Sequence, residues 1–245
     1  MTDRTEHKDV HTQWVNIPVL GGDMGVYAAR PRSKGAALPV RRDIVVLQEI
    51  FGVNPHIRDV TERFAAQGYL AVAPDLFHRG GARFESGYED FQPGRERRMK
   101  TPDTDFLADM DCVLKWLWQQ GAERIGVVGF CYGGRQAFLS ACTKRIDAAV
   151  GFYGARIPEG PLALSRWISA PVLLHFGERD SSIPLDEVRD IETGLAASGR
   201  KDAEIIVYPG APHGFFCDQR KDYTPEAARL AWKRTLEFFR KHLMV

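Results

Sequence analysis

The stretch Arg124-Ile-Gly-Val-Val-Gly-Phe-Cys131-Tyr-Gly-Gly134 runs from a short β-rich apolar segment straight into a helical one, with glycines at 129, 133 and 134. A reactive side chain on such a strand-to-helix turn occupies a strained backbone position where its neighbours must be small. Glycines two positions either side of Cys131 let its sulfur stand clear. The following helix points free amides and the positive end of its dipole at that sulfur, which favours negative charge there. A dinucleotide fingerprint is excluded, because position 131 would have to be the second glycine of G-x-G-x-x-G. A buried structural cysteine, the usual fate of this residue type, stays open on this segment alone.

Outward from this stretch, short apolar runs alternate with amphipathic segments, which predicts crossover units and a mostly parallel sheet with helices on both faces: an α/β fold. Trp14 to Val19 and Val26 to Ala29, split by Gly21-Gly22-Asp23, read as an antiparallel hairpin at a sheet edge. Ile44 to Gln48 reads as a buried strand, and Asn54-Pro55 supplies an N-cap and first-turn proline for a helix that ends at Gly68. Tyr69 to Ala73 is the next strand, followed by a helical stripe from Phe106 to Leu117. Further strands are expected at Arg124 to Phe130, Ala148 to Phe152, Val172 to Phe176 and Glu204 to Tyr208, giving about eight. Helices are expected after Cys131, over Leu185 to Ala197 and over Pro225 to His242. No repeat or linker divides the chain, so residues 1–245 read as one domain.

Phe77 to Asp103 shows no periodicity and exceeds the usual ceiling of about 12 to 15 residues for a structureless connection, which marks it as a long functional loop near the site. Its Arg83, Arg95, Arg97 and Arg98 are nearly balanced by acidic neighbours and read as a solvated mixture.

Composition excludes several function classes. With 44% hydrophobic and 27% charged residues over 245 positions, the chain is globular rather than disordered. Thirty-three basic against 32 acidic side chains leave a formal charge of +1, so nucleic acid is not an expected partner. No apolar run approaches the roughly 20 residues of a membrane helix, and the polar start MTDRTEHKDVHTQ lacks a secretory signal, so no membrane association is expected and a cytoplasmic location is. Cys112, Cys131, Cys142 and Cys217 form no C-x-x-C pair and have no histidine at zinc-ligand spacing. They read as free thiols, with no metal expected.

The context that decides Cys131 lies downstream. Gly177-Glu178-Arg179-Asp180 follows one strand and Pro209-Gly210-Ala211-Pro212-His213-Gly214-Phe215 follows the last, so the order is nucleophile, acid, histidine, as α/β-hydrolases have it. In such a sheet all three loops open at the carboxyl ends of parallel strands and converge on one crevice. His213 would take the thiol proton, and Asp180 would fix its tautomer. Glu178 is the alternative acid. The other histidines are placed elsewhere: 7 and 11 in a tail, 56 in a helix, 78 near the long loop, 175 in an apolar strand and 242 in the last turn.

Taken together, Gln48-Glu-Ile-Phe-Gly-Val-Asn54, Ala73-Pro-Asp-Leu-Phe77, Gly129-Phe-Cys-Tyr-Gly-Gly134, the Asp180 loop and Pro212-His213-Gly214-Phe215 resemble the dienelactone hydrolase family of α/β-hydrolases. The resemblance implies a Cys131, His213, Asp180 triad with the amides of Ile50 and Tyr132 as oxyanion hole. It also implies that Glu49 lies beside the thiol and restrains it until substrate arrives. An ionised carboxylate there would oppose negative charge on sulfur; the competing role is a salt bridge to arginine. Of the two arginines that grip a substrate carboxylate in the family's prototype, Arg79 matches the first. The second is replaced by Cys217, with Arg220 three residues later as a weaker candidate, and a displaced arginine is no geometric equivalent.

The expected activity is hydrolysis of a lactone or small carboxylic ester through a thioester on Cys131, with a small-molecule substrate, no cofactor and no metal, in a monomer or small homo-oligomer. The alternative is a catalytically silent member of the fold that uses Cys131 as a redox-responsive thiol or binds small carbonyl compounds.

Overall fold

The computed structural model describes residues 9–32, 41–199 and 203–244. Its eight-stranded sheet has the order β1-β2-β4-β3-β5-β6-β7-β8, with β1 Val10–Val19, β2 Gly22–Pro31, β3 Arg42–Leu47, β4 Leu70–Pro74, β5 Arg124–Phe130, β6 Ala148–Phe152, β7 Val172–Gly177 and β8 Ala203–Tyr208. β1, β2 and β4 pair antiparallel and the other neighbours pair parallel, as the hairpin and crossover readings require. The hairpin is longer than its apolar residues suggest, because backbone pairing continues outward to Val10 and Pro31. His11, expected in a tail, therefore lies on β1; His7 lies outside the described residues.

The helices are α1 Pro55–Ala66, α2 Gln92–Met99, α3 Asp103–Gln119, α4 Tyr132–Thr143, α5 Leu185–Ala197 and α6 Pro225–Leu243. α1 starts as its sequence predicts: the Asn54 side chain accepts from the Ile57 amide at 3.2 Å, with Pro55 in the first turn. α1 and α6 meet through Phe64 and Trp232, whose ring centroids are 4.7 Å apart. On β5, a Cβ at Gly126 would meet the Phe239 ring of α6, whereas one at Gly129 would meet the backbone of α4. An odd separation puts these positions on opposite sides of the strand, so helices cover both faces.

Residues 77–103 are not structureless. A 3-10 turn spans His78–Gly80, α2 follows, and Gly52 and Glu85 form an isolated β-bridge. The sequence QPGRERRM of α2 offers almost no apolar residue to reveal a helical period. Gly94 explains how it docks: a Cβ there would fall 2.3 Å from the Ile50 carbonyl oxygen, so only glycine lets this helix rest on the segment that follows β3.

Candidate active site

The parallel register places Leu47 beside Gly129, so β3 and β5 end together, and the loops after β7 and β8 open on the same edge. Cys131 follows β5 directly. Its φ of 52° and ψ of −111° lie outside the ordinary regions for a side-chain-bearing residue. Surrounding bonds hold that conformation: the Cys131 amide donates to the Phe152 carbonyl at 3.0 Å, and the Cys131 carbonyl accepts from the amides of Gly134 at 3.0 Å and Arg135 at 3.2 Å. The flanking glycines are sterically required, since a Cβ at Gly129 would fall 1.9 Å from the Gly133 carbonyl oxygen.

Asp180 is buried and both its oxygens are occupied. Oδ1 accepts the amides of Ser182 at 2.8 Å and Ile183 at 3.1 Å, while Oδ2 lies 2.7 Å from His213 Nδ1. Glu178 instead accepts the Gly210 amide at 2.8 Å. His213 is also within hydrogen-bonding reach of the Cys131 sulfur. Burial opposes charge on its imidazole, but the negative potential of Cys131 and hydrogen bonds to Asp180 and Cys131 outweigh it and raise its pKa to about 10. Tyr153, at a φ of 37°, braces the imidazole edge-on with 5.0 Å between ring centroids. His175, by contrast, is enclosed between the Tyr208 hydroxyl at 3.0 Å and Thr235 at 3.1 Å, and burial, with Arg234 nearby, pushes it down to about 3.

Cys131 and His213 line a cavity of about 500 Å³, together with Ile50 and Tyr132. Tyr132 opens α4, so its amide has no acceptor within the helix and is free for a ligand. Five arginines also line this cavity: 95, 98, 135, 156 and 220. Arg135 is paired with Asp103 at 2.7 Å and Arg156 with Glu159 at 2.6 Å. Arg95 and Arg98 have no carboxylate partner among the described residues. Both belong to α2, which carries three arginines against one glutamate; the near balance of charge over the longer stretch 77–103 concealed them in the sequence, and its acidic side chains do not line the cavity.

The structure departs from the sequence at Arg79. That guanidinium is taken by Asp109, which it grips with both terminal nitrogens, and it touches His78 at 3.0 Å. It does not line the cavity. The reason lies in α3: Asp109 is buried on that helix and claims the nearest cation. Arg220 does reach the cavity. Its Nη1 faces Glu49 Oε1 at 3.4 Å, its Nη2 faces Asp222 at 3.2 Å, and Phe51, Tyr88 and Phe91 surround its cationic carbon. Glu49 is fully buried, and its Oε2 has no hydrogen-bond partner among the described residues. The salt bridge weighed as its competing role is therefore present.

The chain and its fold have counterparts among known proteins. The dienelactone hydrolase family covers residues 24–243. The chain belongs to that family of hydrolases. It is 38% identical over 247 residues to a provisionally named carboxymethylenebutenolidase of Synechocystis sp., covering 96% of this chain and 98% of that protein. It is 33% identical over 241 residues to a provisionally named 2-oxo-3-(5-oxofuran-2-ylidene)propanoate lactonase of a Bradyrhizobium species, covering 94% of each. The crystal structure of a provisionally named dienelactone hydrolase from Klebsiella pneumoniae superposes with a TM-score of 0.86 at 38% identity, over 94% of this chain and 98% of that one. Among the described residues no helix is long and apolar enough to cross a membrane.

Proposed function

We propose that this hydrolase cleaves an anionic lactone or small carboxylic ester through an acyl-thioenzyme on Cys131. His213 removes the thiol proton, and the sulfur adds to the substrate carbonyl. The amides of Ile50 and Tyr132 receive the oxyanion, each such donor contributing about 2.7 to 4 kcal/mol to the transition state. Collapse expels the alcohol oxygen, which takes the proton from His213; in a lactone that oxygen stays tethered to the acyl group. Water, deprotonated by His213, then cleaves the thioester, and the sulfur recovers its proton. Asp180 holds the imidazole in the required tautomer and stabilises its charged form. The cycle requires neither cofactor nor metal.

The observation that carries this reading is the 2.7 Å Asp180–His213 bond aimed at a strained Cys131 inside a cavity of substrate size. The anionic preference rests on Arg95 and Arg98, which are free to meet a carboxylate, with Arg220 deeper in the cavity. The lactonase named among the relatives acts on a propanoate, which is in keeping with such a lining. Glu49 lies between two roles here. With Arg220 as its partner it would keep that guanidinium oriented, and its unpartnered oxygen would be the part that restrains the resting thiol. The decisive experiment is mass spectrometry of enzyme quenched during turnover of an activated aryl ester. The acyl mass is expected on the peptide containing Cys131 and absent from Cys131→Ser; undiminished turnover by Cys131→Ser would overturn the reading.

A further inference from the structure

We propose that His56, Cys217 and Asp218 form a binding site for one thiophilic divalent cation of the zinc class, beside the acyl-transfer cavity and separate from it. One donor atom from each residue lies within 4.8 Å of the other two. A tetrahedral zinc ion with a nitrogen, a sulfur and an oxygen ligand would bring these atoms to about 3.3 to 3.8 Å from one another, a small contraction. His56 is 1% exposed and Cys217 0%. His56 Nδ1 pairs with Asp218 Oδ1 at 3.4 Å, the Cys217 thiol is also within reach of the ring, and neither ring nitrogen attains full hydrogen-bond geometry among the described residues. An imidazole so enclosed normally has its nitrogens in well-formed hydrogen bonds; here they meet only the loosely spaced thiol and carboxylate of the same cluster.

The surroundings fix the donors. Phe130 and Phe216 hold the His56 ring edge-on at 6.1 and 6.0 Å. Cys217 Sγ lies 3.2 Å from the Tyr88 hydroxyl, whose oxygen accepts from Asn54 at 2.9 Å. The Asp218 side chain is 54% exposed, which leaves an entry path and a fourth position for water. A mixed nitrogen, sulfur and oxygen donor set suits zinc and disfavours magnesium or calcium. On binding, the Cys217 thiol releases its proton to solvent as the metal–sulfur bond forms, and the His56 ring likewise gives up the proton it holds in its pair with Asp218 as the metal–nitrogen bond forms. His56 ligates as a neutral imidazole and Asp218 as a carboxylate. No linear spacing reveals the site, because its histidine opens α1 and its other two donors follow His213. A bound ion would tie those two segments together.

The test uses the metal-free full-length chain carrying Cys131→Ser, so that the cavity thiol cannot compete and no readout depends on hydrolysis. Calorimetric titration with Zn²⁺ is expected to show one equivalent bound, with a rise in melting temperature. Titration with Co²⁺ is expected to give a sulfur-to-cobalt absorption band. Adding Cys217→Ser should abolish the band, and Asp218→Asn or His56→Gln should weaken binding by about tenfold or more. Asp218→Asn keeps the test open if His56→Gln does not fold. Absence of stoichiometric Zn²⁺ uptake, or a cobalt band that survives Cys217→Ser, would overturn the proposal, and neither result bears on the acyl-thioenzyme.

Discussion

Cys131, His213 and Asp180 share their residue types with Cys217, His56 and Asp218, yet the two groupings are built differently. In the first, the aspartate is buried with both oxygens occupied, the histidine is oriented by it, and the cysteine protrudes from a strained turn into a cavity. In the second, the cysteine and histidine are buried and the aspartate is the exposed member. Nucleophilic chemistry needs the sulfur at the accessible end and the carboxylate at the anchored end. The second grouping reverses that polarity, so its donors converge on a point instead of lining up toward a substrate. Residue type alone does not distinguish the two; the order of burial does.

The largest expected effect separates the sulfurs. Cys131→Ser or His213→Ala should lower kcat on an activated aryl ester by about 10⁴-fold or more. A loss of that size on Cys217→Ser would break the comparison. Next comes the carboxylate: Asp180→Asn should cost about 10⁴-fold by releasing the imidazole tautomer, whereas an equal loss on Asp218→Asn would give the exposed aspartate a part in hydrolysis.

The pH dependence of stability sharpens the same contrast. The pKa of His213 is raised from an ordinary value near 6.5 to about 10. Its charged form therefore contributes stability that is complete below about pH 6.5 and is lost as pH rises toward 10. Melting curves should show that alkaline decline, and Asp180→Asn should make it shallower; an identical slope in the variant would remove the Asp180–His213 bond as its source. Smaller still, Arg98→Ala should raise KM about tenfold for a carboxylate-bearing lactone, near 1.4 kcal/mol, and little for a neutral ester. Arg79→Ala should show no such difference between the two substrates. The subtlest test is Glu49→Gln, which should shift the pH profile of Cys131 alkylation; an unchanged profile would take Glu49 out of control of the thiol.

The sheet was legible because its strands are short, apolar and punctuated. β5, β6 and α5 have the bounds their sequences predict, and the Asn54 cap was readable from its two-residue signature. The meeting of Cys131, Asp180 and His213 at one edge was legible for a related reason: each follows a strand, and strand order fixes what meets at the carboxyl edge. The arginines were not. Arg95 and Arg98 reach the cavity only because α2 folds over it, and the Arg79 guanidinium is turned to Asp109, thirty positions away on α3. Which cation a buried carboxylate claims is settled by packing between helices, and local spacing carries no record of it. The His56 cluster was hidden for the same reason.

The seating of Gly94 on the Ile50 carbonyl has an evolutionary corollary. Under the proposed function, the helix that would select the guest rests on the segment after β3 whose amide would steady the reaction, so the two properties would share one mechanical joint. A lineage that retunes α2 to admit a new compound could not do so in isolation: it would also shift the residue whose neighbouring amide the proposed reaction uses. Divergence of this enzyme toward other substrates should therefore pass through paired changes on both sides of that contact.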